Sequence, residues 1–183
     1  RVVATPGKTK NADFALGYAK KYLEYFENYS EIPYPLEKLD LIAIPDFGAG
    51  AMENWGAITF RELLLLVDEK KTSASIKKRA AEVIAHELWH QWSGNLVTMN
   101  WWNDLWLNES FANYMAFKAV DHYNPEWKIW NDYLSDELAV GLFKDTLKTT
   151  HPIEVEIKSP EEIEEVFDEI SYQKGGSVLR MLD

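Results

Sequence analysis

Residues 83–92, Val-Ile-Ala-His-Glu-Leu-Trp-His-Gln-Trp, hold the densest chemistry in the chain. His86 and His90 are four apart, so a helix here stacks them on one face, one turn from each other. Two imidazoles so placed can hold one zinc ion at roughly 2.0–2.1 Å. Glu87 is turned about 100° from His86 around the helix axis. That puts it off the ligand line but beside the metal, where a general base stands. The pattern is H-E-x-x-H, that of zinc hydrolases. A mostly apolar helix does not carry three such side chains without partners, because an unpaired polar group in a core costs several kcal/mol.

A catalytic zinc usually takes three protein ligands and keeps a fourth position for water. Two further histidines exist. His122 lies beside Asp121 and Tyr123 at a helix end, where surface packing is the plainer reading. His151 precedes Pro152 in an irregular stretch, the setting of a loop histidine. The better candidate is Glu109, in Trp106-Leu107-Asn108-Glu109-Ser110-Phe111-Ala112-Asn113. A carboxylate on so apolar and aromatic a helix needs a partner. A zinc ion and a solvated helix face are both open readings at this point.

The elements that must position these groups follow from pattern. Residues 1–10 are polar and turn-like around Pro6-Gly7. Residues 12–28 repeat Phe14, Tyr18, Leu23 and Phe26 at roughly helical spacing, and Pro33 and Pro35 end that helix. Residues 39–44 read as a strand closed by Pro45, and 46–50 as a loop freed by two glycines. Residues 57–61 and 63–67 read as strands. A polar connector at 70–75 offers Thr72, Ser73 or Ser75 as the cap of the central helix, which runs to about Trp92 and stops at Gly94. Residues 96–102 are expected to be extended. Asp104 is placed to cap a second helix through Val120, and Pro125 opens a third over 126–143. Residues 144–158 are irregular. Ser159 caps an acidic helix with Pro160 at its first position, and a last helix begins near Ser171. No repeat or low-complexity segment interrupts this. Strands early and helices later define an α+β class.

The totals narrow the field. At 183 residues, 46% hydrophobic and 14% aromatic, the chain can bury the core of one domain, or of one domain in two lobes. A net charge of −11 argues against nucleic-acid partners, which need clustered Lys and Arg. With no cysteine there is no disulfide, thiol nucleophile or thiolate-bound metal. The compartment stays undetermined, with the cytoplasm favoured. The longest apolar run, 63–67, is far short of the ~20 residues that span a bilayer, so no membrane segment is expected. The acidic run 154–169 reads as a solvated helix face. A start without Met and a helical pattern with no stop signal at 177–183 suggest a piece of a longer chain.

Four stretches together carry a resemblance. His86-Glu87-Leu88-Trp89-His90, eighteen residues, then Glu109 matches the gluzincin spacing, and Gly50-Ala51-Met52-Glu53-Asn54 matches the G-A-M-E-N signature. Residues 101–112 and 167–175 are also alike. Over about residues 36–181 the sequence resembles the zinc aminopeptidase family that includes aminopeptidase N, with the tricorn-interacting archaeal aminopeptidases as the nearest likeness. The resemblance implies a thermolysin-like catalytic domain, C-terminally truncated, with a sheet-rich lobe at 1–72 carrying the G-A-M-E-N loop and a helical lobe at 73–183 carrying the zinc site. It implies one zinc ion held by His86, His90 and Glu109, with Glu87 as general base and Tyr172 stabilising the oxyanion. Glu53 would pair with the substrate's free α-amine. Gly50 and Ala51 would meet its backbone, with Met52 and Asn54 in the same binding loop.

The expected function is then hydrolysis of the N-terminal peptide bond of peptides by a metal-activated water. The expected partners are peptides with a free N-terminus and the flanking domains that full-length members carry. A zinc-binding fragment without turnover and a related zinc endopeptidase or epoxide hydrolase are the alternatives. Two positions depart from the family. Trp89 stands where a small residue is usual, and Ser93 where an aromatic one is usual. The exchange implies either mutual repacking or an altered floor of the site.

Overall fold

The computed structural model describes residues 1–183. They form two compact units, Arg1–Asn95 and Leu96–Asp183. The strands fall in the first unit and the second is helical, a mixed α and β architecture as the pattern predicts.

The first unit holds a four-stranded sheet of β1 (Val2–Val3), β2 (Asp40–Ile44), β3 (Ala51–Met52) and β4 (Ala57–Arg61), in the order β1-β2-β4-β3. β1 and β4 run parallel to β2, and β3 lies antiparallel to β4, with Ala51 opposite Phe60. Strand periodicity is two, so Leu41, Ala43, Ile58 and Phe60 all turn into the core. β1 falls where a turn was expected. Two residues are too short to show alternation, and only their register against Leu41 and Ile42 makes them a strand.

Residues 63–67 were expected to continue the sheet. Instead α2 (Glu62–Leu65) forms a single helical turn, closed by the Leu66 N–H donating to the Glu62 carbonyl at 2.8 Å. The physical reason is side-chain type. Leucine is a strong helix former without β-branching, and one turn is enough to bury Leu65 fully.

α1 (Asp13–Ser30) turns Phe14, Ala15, Ala19, Tyr22 and Phe26 inward, and α3 (Ala74–Trp89) packs on it. Ser73 caps α3, its Oγ accepting from the Ile76 N–H at 3.4 Å. The last turns tighten, with the Gln91 and Trp92 N–H groups bonded three residues back to Leu88 and Trp89. Gly94, at φ 133°, ends the run in a conformation that favours glycine. Trp89 is 4% exposed, with its ring 5.1 Å from Phe26, 5.8 Å from Tyr29 and 6.2 Å from Trp92. Its bulk fills the α1–α3 interface.

In the second unit α4 (Leu105–Tyr123) is buried along much of its length, through Leu105, Ala112, Met115, Phe117 and Val120 among others. Asp104 sits at its start but makes no side-chain cap. The segment 96–102 is irregular, with a single bridge residue at Val97, bends at Asn100 and Trp101, and extended backbone at Trp101. It is tied down by the Trp101 indole N–H donating to the Ile157 carbonyl at 2.6 Å, beside the Ile157 N–H bonded to Asn103 Oδ1 at 2.7 Å. The single helix expected over 126–143 is broken. A 3₁₀ turn at Pro125–Trp127 ends in left-handed Lys128, after which come α5 (Ile129–Asp132), a π-helical turn (Tyr133–Leu138) and α6 (Ala139–Asp145). Burial of Ile129 and Tyr133 sets that path.

The acidic segment is a 3₁₀ stretch, Pro160–Val166, without a cap from the Ser159 side chain. Its apolar residues Ile163 and Val166 pack with Leu105 and Ile157 while most of its carboxylates face solvent. A π-helical turn, Ile170–Lys174, leads into α7 (Gly175–Leu182). No helix is long and apolar enough to cross a membrane.

Two predictions follow from this packing. Trp89→Ala should cost about 3–5 kcal/mol in urea unfolding, as for a buried aromatic in a close-packed interface; a loss under 1 kcal/mol would refute that placement. The second concerns Asp40, whose carboxyl is held below the usual carboxylate range by hydrogen bonds from Arg1 and Lys38. A depressed folded pKa stabilises above the unfolded value near 4, and the gain is lost as pH falls through the folded value. Asp40→Asn should therefore lower the urea midpoint at pH 7, and the difference should shrink steadily below about pH 4.

Candidate metal centre

The end of α3 brings two imidazoles together. His86 Nε2 and His90 Nε2 are 3.0 Å apart, with ring planes at 80°. Two nitrogens on one tetrahedral zinc would stand about 3.3 Å apart, given Zn–N near 2.05 Å. The tightened helix end also places the Ser93 carbonyl 3.2 Å from His90 Nδ1. An Nδ1–H donating there leaves Nε2 with its lone pair outward, the tautomer a metal requires. His90 is fully buried, and Glu87 is 6% exposed.

Glu109, on α4, is 4% exposed, so the solvated-face reading fails. His86 and His90 at the end of α3 and the buried Glu109 on α4 are the side chains that could hold a metal ion. Two imidazole nitrogens and a carboxylate oxygen form a donor set suited to zinc. The other histidines stay outside it. His122 is exposed, with its ring edge-on to Tyr123. His151 bridges the Pro152 carbonyl at 2.6 Å and Asp168 Oδ2 at 2.9 Å.

The loop carrying Gly50, Ala51, Met52, Glu53 and Asn54 forms the sheet edge, with β3 at its centre. Arg61 ties the approach to it. Its guanidinium donates to the Phe47, Ala49 and Gly48 carbonyls at 3.2, 3.1 and 2.6 Å, and its backbone N–H to Gly50 at 2.9 Å. Asn54 Nδ2 donates to Thr59 Oγ1 at 3.1 Å across the turn. The turn needs a glycine at 56. Gly56 has φ 71°, and a Cβ there would stand 2.7 Å from Leu36 Cδ1.

Gln91 ties this turn to the zinc-type helix. Fully buried, it accepts from the Gly56 N–H at 3.1 Å and donates through Nε2 to the Glu53 carbonyl at 3.0 Å. Asn95 Nδ2 donates to the same carbonyl at 2.8 Å.

Tyr172 lies in the π-helical turn before α7, its N–H bonded to the Asp168 carbonyl at 3.1 Å. Asp168 Oδ1 accepts from the Ile170 and Ser171 N–H groups at 3.0 and 3.1 Å. Ser110, buried and next to Glu109, donates its hydroxyl to the Ser171 carbonyl. Gly175 permits that approach, since a Cβ there would overlap Ser110 Oγ and stand 2.9 Å from Ser110 Cβ. Sequence reasoning passed over Gln91, Asn95, Ser110 and Gly175. The available signal was position: Gln91 and Ser110 are polar residues directly after His90 and Glu109, in stretches rich in apolar and aromatic residues.

An H-E-x-x-H helix with a distant glutamate defines the gluzincin class of metal centre, and comparison with known proteins gives the family. Residues 14–183 match the model of the peptidase family M1 domain, and the chain belongs to that family. It is 57% identical over 183 residues to a probable aminopeptidase 2 of Sulfurisphaera tokodaii, covering 100% of this chain and 23% of the relative. It is 52% identical, with the same coverage, to a leucyl aminopeptidase of Saccharolobus solfataricus. To the tricorn protease-interacting factor F2 of Thermoplasma volcanium it is 53% identical over 176 residues, 96% of this chain and 22% of the relative. The chain thus spans under a quarter of the length of these curated relatives.

The contact beneath Tyr172 gives a further prediction. Gly175→Ala should destabilise by about 1–3 kcal/mol through overpacking, and Ser110→Ala by about 1 kcal/mol through a lost hydrogen bond. Unfolding of both variants by denaturant checks this. A Gly175→Ala protein as stable as the parent would show that α7 and α4 do not approach so closely.

Proposed function

We propose that the protein containing this chain is a zinc aminopeptidase that removes N-terminal residues from peptides with a free α-amine. The observation that carries the reading is the pair of imidazoles, His86 and His90, facing each other at the end of α3 in a chain of the M1 family that also buries Glu109. The names of its relatives as aminopeptidases support it. In this reading 1–183 is catalytic-domain sequence, with a sheet-rich lobe at 1–72 and a helical lobe at 73–183.

His86, His90 and Glu109 would hold the zinc ion, which would supply Lewis acidity to activate a water for attack. Glu87 takes the proton of the attacking water and delivers it to the departing amine, as general base and then general acid. Tyr172 donates its phenolic O–H to the oxygen of the attacked carbonyl as charge develops there. Glu53 pairs with the substrate ammonium. An internal peptide bond offers no such charge and would leave that carboxylate desolvated without a partner. The open edge of β3 pairs with the extended peptide backbone, strand to strand, along Gly50, Ala51 and Met52, with Asn54 bracing the end of the loop.

The test uses the full-length protein. Metal analysis should find one zinc per chain, lost in Glu109→Ala. Glu87→Gln should slow hydrolysis of an aminoacyl anilide by about 10²–10⁴-fold with zinc retained, and Tyr172→Phe by about 10²–10³-fold. Acetylating the substrate's α-amine should abolish turnover. Equal rates for the parent and Glu87→Gln would sink the mechanism. Undiminished cleavage of the acetylated substrate would mark an endopeptidase.

A further inference from the structure

The residue after the second histidine has no role in the chemistry above, yet it is fully buried and polar at both ends of its amide. A buried primary amide is costly unless its donor and acceptor are both used. Gln91 uses each on the same short piece of backbone, the Glu53 carbonyl and the Gly56 N–H. The pairing is that of a strand ladder, made by a side chain. Asn95 adds a second donor to the Glu53 carbonyl, which employs both of that oxygen's lone pairs.

The segment so held, 53–56, is otherwise fastened by its own neighbours. Met52 pairs with Thr59, and the Ala57 N–H bonds to the Asn54 carbonyl. Those contacts shape the turn without fixing how far it lies from α3. The Gln91 amide fixes that distance, and it starts one residue from His90 on a rigid helix end.

We propose that Gln91, assisted by Asn95, is a positioning residue for substrate selection: it sets the distance from the metal-binding His90 to the Glu53 carboxylate, and hence the one-residue reach of the N-terminal cut. The inference rests on the proposed aminopeptidase reading. Gln91 does not touch substrate; it acts through the backbone of Glu53. A glutamate in its place would keep an acceptor for Gly56 but lose the donor to Glu53, so size alone cannot replace the amide.

The experiment compares Gln91→Ala, Gln91→Glu and Asn95→Ala with the parent in the full-length protein. Zinc content, thermal midpoint, kcat and KM are measured on a free-amine anilide and on its N-acetyl form. Calorimetry adds the affinity for a dipeptide whose peptide bond is reduced to a non-hydrolysable amine link. For Gln91→Ala, KM for the free-amine substrate and Kd for the dipeptide should each rise about tenfold, the scale of a lost hydrogen-bond pair. Zinc stays bound, kcat falls less than KM rises, and the preference for free-amine over acetylated substrate drops. Gln91→Glu should follow the same direction. Loss of kcat and zinc together, with KM and preference unchanged, would assign Gln91 a purely structural role and overturn the proposal, as would parental values throughout.

Asn95 is less buried than Gln91. If the Gln91 variants fail to fold, Asn95→Ala decides by the same measurements: a smaller rise in KM and Kd supports the proposal, and no rise overturns it. A parent that binds the dipeptide without hydrolysing the anilide would refute the proposed function, while the binding arm still decides this one. A parent that does neither would overturn both.

Discussion

The arrangement depends on a conflict inside one helix. Residues 86–91 carry four polar side chains, His86, Glu87, His90 and Gln91, across the end of α3 and the turn that follows it, and all but His86 are buried. An unpartnered polar group in such a place costs on the order of 1–3 kcal/mol, more when charged, against a total stability of roughly 5–15 kcal/mol for a domain. The helix is kept buried by Leu88, Trp89 and Trp92, with the two indoles set among the rings of α1. Its polar groups must therefore find partners at short range. The two imidazoles face each other, His90 reaches the Ser93 carbonyl, and the Gln91 amide reaches the turn behind β3.

The same solution recurs on α4. Glu109 is buried, and the following residue, Ser110, spends its hydroxyl on the Ser171 carbonyl, one residue before Tyr172. In both helices a metal-type donor is followed by a buried polar side chain that grips the backbone of another segment. Backbone is a better target than a side chain for this purpose, since gripping a carbonyl constrains a loop while leaving its side chains free to work. Loops carry binding groups most usefully when a rigid element sets their position. The contact also explains the glycine at 175, because two elements joined through so short a side chain as serine must approach closely.

Much of this was legible in the sequence, for identifiable reasons. The His-Glu-x-x-His spacing is a property of any helix, so the pairing of His86 with His90 follows once residues 83–92 are read as helical. Ser73 as a cap and Gly94 as a stop are local rules, and the structure obeys both. Failures came where tertiary context overrode local preference. The leucine run at 63–66 has no period with which to separate a strand from one helical turn. The 126–143 helix breaks at Lys128 because Ile129 and Tyr133 must reach the core. β1 is a strand only by virtue of the register its partner offers. Asp104 and Ser159 sit where caps belong but make no cap bond, since position alone does not orient a side chain. Gln91 carried only the signal of its place after His90, and its part became legible once its two partners were seen on one short stretch of backbone, the Glu53 carbonyl and the Gly56 N–H.

The shape of the sheet edge bears on why the proposed chemistry stops after one residue. β3 is only two residues long, and in an antiparallel pair with β4 its outer edge is free to accept another strand. A long open edge would invite pairing with any extended chain and with other copies of the protein. Here the edge is short at both ends by construction. Arg61 holds the 47–50 carbonyls before it, and the left-handed Gly56 turn, anchored by Gln91, ends it after Glu53. At roughly 3.3 Å per residue, two residues of edge admit little more than a dipeptide's length of backbone. In the proposed reading the Glu53 carboxylate closes this edge, and a longer peptide would enter only with its terminal ammonium there. On that reading the backbone fasteners that keep the edge short would also set the reading frame of the cut.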